Sequence, residues 1–213
     1  MTRIFAAATL LAMSSGALSA ETFQADVWAD NWFEMRINGE TVAEDSVPAS
    51  TERSFNAESF SFDADRPFVI GVVAMDYRQD DTGLEYIGTD RQQMGDGGLI
   101  LQIRDAAGEM VAVSDADWQC RVIHTAPLDK SCAAEETPVA GSAPCGFEAE
   151  DEPVGWDHAG FDASGWTAAS VYSEEEVGPK EGYDEIDWAE EAALIWGPDL
   201  EQSNTLLCRL SVK

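Results

Sequence analysis

Positive charge is scarce in this sequence: 12 Lys and Arg stand against 41 Asp and Glu, a formal charge of −29 at pH 7. A surface of that sign repels phosphate backbones, which excludes nucleic acid as a direct partner. Histidine is rarer still. The two present, His124 and His158, are separated by 33 residues in a pattern that announces no zinc or copper site, and both read as ordinary polar histidines. Gly-x-Ser-x-Gly, His-Glu-x-x-His and Gly-rich phosphate loops are absent, so no recognised signature of nucleophilic, metalloprotease or nucleotide chemistry is present. Beyond residue 20 no apolar run approaches the roughly 20 residues that span a bilayer. Amphipathic helical periodicity is equally hard to find.

What is present begins with a leader. Arg3 precedes an apolar stretch from Ile4 to Met13, and small residues follow to Ala20. This is the pattern of a secretory signal at 1–20, leaving a single domain over 21–213 in the periplasm or outside the cell. Cleavage removes Arg3 and no acidic residue, so the acidity belongs to the mature protein. It suits general solubility, a saline setting or a calcium requirement. Cys120, Cys132, Cys145 and Cys208 form an even set in a chain sent to an oxidising space, which favours two disulfides. Three pairings are open. The preferred one joins Cys132 to Cys145 across a polar loop and Cys120 to Cys208 between two strands. A metal-thiolate site is the competing reading, but the close Cys-x2-Cys pairs of zinc sites are missing.

Short runs of β-formers bounded by turn residues dominate the remainder. Phe23–Val27 and Trp32–Ile37 are two such runs, and Asn38-Gly39 after the second is a hairpin signal because both residues tolerate positive φ. Phe68–Met75 is nearly continuous apolar sequence, as expected of a strand buried on both faces. Leu99–Arg104 with Met110–Ser114 forms a second hairpin, followed by strands at Trp118–His124, Ala168–Tyr172, Ala193–Trp196 and Thr205–Val212. Residues 125–144 read as a long loop, and 174–187 as an exposed acidic segment. The fold class is all-β: an antiparallel β-sandwich with long acidic loops.

The order of these pieces resembles the galactose-binding-like jelly-roll domains that accompany bacterial α-L-rhamnosidases and related glycoside hydrolases. Five segments carry the resemblance. They are Ala29-Asp30-Asn31-Trp32-Phe33 running to Asn38-Gly39, the strand from Pro67 to Ala74, Ser114-Asp115-Ala116-Asp117-Trp118, Phe161-Asp162-Ala163-Ser164-Gly165-Trp166, and the pair Ile195-Trp196 with Leu207-Cys208-Arg209. Ser114 stands where the family pattern has Thr, and the four cysteines are additions. The resemblance implies a jelly-roll sandwich in an accessory, non-catalytic role, and many domains of that group hold a structural calcium.

Candidate site residues follow from loop position. Trp156, Trp188 and Tyr183 lie in or beside loops, where aromatic faces stack on sugar rings; Trp166 belongs to a turn that would bury it. Asp184, Glu185 and Asp187 offer closely spaced oxygen ligands of the kind calcium takes, although no Asp-x-Asp-x-Asp-Gly loop is present. The leading expectation is a non-catalytic protein that binds a carbohydrate or another polar small molecule, with calcium as the candidate cofactor. An envelope interaction protein using the acidic surface is the second reading, and a hydrolase acting on glycans or esters the third.

Overall fold

A computed structural model describes residues 20–213; the leader expected at 1–20 lies almost wholly outside the described residues. The first half of the chain forms β1 (Glu21–Asp30), β2 (Trp32–Ile37), β3 (Glu40–Glu44), β4 (Ala57–Ala64), β5 (Phe68–Met75), β6 (Leu84–Glu85) and β7 (Gln93–Met94). Next come β8 (Gly98–Asp105), β9 (Met110–Val113), β10 (Gln119–Thr125), β11 (Glu148–Ala149), β12 (Thr167–Ala168) and β13 (Ser170–Tyr172). A short helix α1 (Glu174–Val177), then β14 (Leu194–Trp196) and β15 (Ser203–Val212), complete the chain. All pairings are antiparallel. One sheet runs β13-β14-β8-β1-β4 with β9 also on β8, and the other β11-β10-β15-β5-β2-β3 with β12 also on β10; β6 and β7 pair by themselves. The protein is a two-sheet antiparallel β-sandwich.

Alternation builds the core. In β1 the side chains of Phe23, Ala25, Val27 and Ala29 face inward, opposite Phe68, Ile70, Val72 and Ala74 of β5. The Asn38-Gly39 turn joins β2 to β3 with both residues at positive φ, as the hairpin signal requires. β5 is buried along nearly its whole length because its second face is covered too. Val73 and Leu207 on that outer face lie under Trp156, flanked by Phe161 and Trp166. The outer face of the other sheet is covered likewise: Trp28 and Ile100 pack with Val177 and Leu194 beneath Tyr183 and Trp188. The acidic segment 174–192 is therefore not simply a solvated loop. Its helix α1 opens with a capping box between Ser173 and Glu176 and ends at Gly178 in the left-handed region.

Both disulfides of the preferred pairing are present, Cys120 with Cys208 and Cys132 with Cys145, and no free cysteine remains. Cys120 and Cys208 face each other in register across β10 and β15. Cys132 and Cys145 pack against Leu84, Ile87 and Met94, so the 125–146 loop props the β6–β7 hairpin from below. Two disulfides point to an oxidising compartment. No helix among the described residues is long and apolar enough to cross a membrane.

Candidate metal centre

One end of the sandwich concentrates carboxylates. β1 ends at Asp30, and Asn31 N–H donates to the Met75 carbonyl at 3.0 Å, bringing the end of β5 and hence Asp76 beside it. The Asp76 backbone is in turn fixed by its N–H donating to the Asn204 carbonyl at 2.9 Å. The β6–β7 hairpin folds over this end, with Glu85 in β6 and Asp96 just after β7. Ligand oxygens of Asp76, Glu85 and Asp96 lie within 4.8 Å of one another. Two oxygens on opposite sides of a calcium ion, each at 2.3–2.6 Å, stand about 5 Å apart, so this spacing suits one shared cation.

Burial makes the cluster unusual. Asp30 and Asp76 are both 0% exposed, and none of their four carboxylate oxygens has a hydrogen-bond partner. Ionised carboxylates in that condition are costly unless a cation or proton compensates them. Burial, reinforced by Asp30, Glu85 and Asp96, pushes Asp76 well above the ordinary carboxylate range. Asp30 is raised by burial and by Asp96, against the pull of Lys180. Glu85 is pushed up to about 7 by burial, although Gln93 Nε2 donates to it at 2.8 Å. Lys180 is the nearby cation, with Nζ 3.3 Å from Asp96 and 3.9 Å from Asp30. Burial lowers its pKa, but Asp96 and Asp30 outweigh this and hold it above the usual value. One ammonium in contact, with the Arg53 guanidinium acting on Asp30 from farther off, does not balance four carboxylates. The residues fit a hard divalent cation, with Asp76 on the buried side and Glu85 and Asp96 facing outward.

Outward from the centre is a cavity of about 290 Å³, lined by Glu52, Phe55, Glu85, Tyr86, Asp96 and Lys180, with Arg53, Arg91 and Gln93 completing the wall. Gln93 and Asp96 also line a wider groove of about 670 Å³ on the other side, with Tyr172, Pro198 and Leu200. Comparison with protein-family models, curated proteins and solved structures finds no match for this chain. The chemistry of the site is therefore argued from its own residues.

The residues expected from loop position are distributed differently. Trp156 is 2% exposed, stacked on Trp166 at 5.9 Å, with the Arg36 guanidinium 5.6 Å from its ring and Nε1 donating to Glu152 at 3.0 Å. Protein covers it, because the outer face of β5 needs a large apolar lid. Tyr183 and Trp188 do come together, 5.8 Å apart, with Trp188 Nε1 donating to the Tyr183 carbonyl. Both are half-buried over Trp28 rather than free-standing. Asp184, Glu185 and Asp187 are exposed and, among the described residues, are not a group whose ligand atoms converge closely enough to share a cation; those of Asp76, Glu85 and Asp96 converge to within 4.8 Å. His124 is buried, with Nδ1 3.0 Å from Asn204 Oδ1 and its ring stacked on Phe147, while His158 is exposed beside Gly39. Sequence reading missed all four central carboxylates. The available signals were an Asp directly after the buried run of β5 and the glycine-dense stretch Gly95-Asp96-Gly97-Gly98.

Proposed function

We propose that this protein is an exported, non-catalytic binding protein that holds a calcium ion at Asp76, Glu85 and Asp96. In this reading it takes a carbohydrate or another polar small molecule in the adjoining cavity. The observation that carries the reading is Asp76: fully buried, both oxygens unpartnered, and aimed into a group of carboxylates spaced for one cation. The five ordered sequence segments support a galactose-binding-like jelly roll, and the leader together with the disulfides supports export. A bound cation would supply positive charge to the buried carboxylates and open coordination positions toward the cavity. The protein's own groups supply shape and polarity: Phe55 and Tyr86 as apolar walls, and Gln93, Glu52 and Lys180 as hydrogen-bonding groups.

Thermal melts in millimolar calcium and in sodium at matched ionic strength test the cation. Binding at 100 times Kd adds about 2.7 kcal/mol, which for a domain of this size raises Tm by roughly 5–10 °C beyond screening. Coincident calcium and sodium curves would overturn the assignment. A glycan array probed with and without calcium then tests the polar ligand.

A further inference from the structure

The cavity beside the carboxylates gathers cationic side chains, which are scarce in this protein. Three of its 12 Lys and Arg residues, Arg53, Arg91 and Lys180, line a space of about 290 Å³. Each is placed against an aromatic ring: Arg91 lies 4.1 Å over Tyr86, Lys180 Nζ 4.6 Å and Arg53 5.4 Å over Phe55. Such contacts hold long cationic side chains in position. Tyr86 itself sits at φ 51°, in the left-handed region that non-glycine residues rarely adopt. In a chain of charge −29, three convergent cations are not the generic surface.

We propose that this cavity takes a small carboxylate-bearing ligand, its oxygens completing the coordination of the cation while Arg53, Arg91 and Lys180 hold its negative charge. The proposal rests on the reading of Asp76, Glu85 and Asp96 as a cation centre. Three arguments select the class. Calcium takes six to eight oxygens, and three carboxylates supply six only if all are bidentate, leaving room on the side where Glu85 and Asp96 face the cavity. Guanidinium groups match the planar carboxylate with paired hydrogen bonds. Glu52, Glu85 and Asp96 share the wall and would repel a dianion such as phosphate more than a monoanionic group. The volume suits a monosaccharide acid or a short organic acid, not a polymer segment.

The test is titration calorimetry of the full protein in calcium, with glucuronate, lactate and glucose as probes. One of the carboxylates is expected to bind, with glucose at least about tenfold weaker. Preference for glucuronate marks a sugar acid, and preference for lactate a simple carboxylate. Arg53→Gln and Arg91→Gln should each weaken that carboxylate by about tenfold or more, while calcium titrated alone still binds. Chelating the calcium should abolish carboxylate binding. If calcium binds but glucose equals both carboxylates, or neither carboxylate binds, this proposal is overturned and the cation centre stands. If calcium gives no binding to the wild type, the cation centre falls and the proposal with it.

Discussion

The carboxylate of Asp76 lies against the backbone of Gly95 so closely that a Cβ at position 95 would sit 1.8 Å from Oδ2. Asp76 is fully buried and has nowhere to retreat without disturbing Glu85 and Asp96. Gly95→Ala is therefore expected to displace the carboxylate and weaken calcium binding by about 10–100-fold, as displaced supports of metal ligands do. Asp76→Asn should separate the two roles of the charge. It removes a buried, unpartnered anion, so the calcium-free variant should melt higher than wild type while losing the calcium-dependent rise. Melting curves of wild type and both variants, with and without calcium, check these outcomes; an unaltered calcium response in Asp76→Asn would contradict them.

The Cys132–Cys145 bond should matter to the site as well as to stability. It packs under Leu84 and Met94, and Gln92 Nε2 donates to the carbonyls of Ala133 and Glu135, tying the β6–β7 hairpin to this loop. Replacing both cysteines by alanine is expected to destabilise by about 3 kcal/mol on the chain-entropy model and to reduce calcium affinity by loosening Glu85 and Asp96. Replacing Cys120 and Cys208, which close the longer span, should destabilise by roughly 4–5 kcal/mol. Denaturant unfolding paired with calcium titration reports both quantities.

Trp156 is packed into the layer over the outer face of β5. Trp156→Ala empties the layer over β5, removes the ring beneath Arg36 and the Nε1 donor to Glu152, and is expected to destabilise by about 3–5 kcal/mol. Trp188→Ala, at a half-buried position, should be the milder change. Chemical denaturation of the two variants side by side gives the comparison, and equal losses would show that the outer lids are equivalent.

His124 gives stability a pH dependence of definite sign. Burial, with Arg78 adding repulsion, holds its pKa below the ordinary value of 6.5, against Asn204 and Asp81, whose Oδ1 is 3.3 Å from Nε2. The unfolded chain then binds the proton more readily than the folded one. Stability contributed by the neutral ring is present above about pH 6.5 and is withdrawn as pH falls through that value toward the lowered folded one. His124→Gln should flatten this part of the profile from neutrality downward through pH 6.5, read as the difference in denaturation midpoint between variant and wild type.

Strand positions were legible because their causes are local. Trp32–Ile37 and Phe68–Met75 are strands with the bounds expected from alternation and apolar run length, and Asn38-Gly39 turns as its φ preferences dictate. The disulfide pairing was a preference among three, for joining two strands and closing one loop, and only the fold decided it. The outer lids were not legible, since a tryptophan in a loop carries no mark telling whether a sheet face waits to be covered. The site was the least visible part. Asp30, Asp76, Glu85 and Asp96 sit at the ends of separate strands, and Lys180 comes from a distant loop. In a chain with 41 acidic residues nothing local distinguishes these four. Periodicity and turn chemistry, which act over a few residues, determined the strands; the meeting of strand ends, which depends on the packing of two whole sheets, decided which carboxylates are buried together.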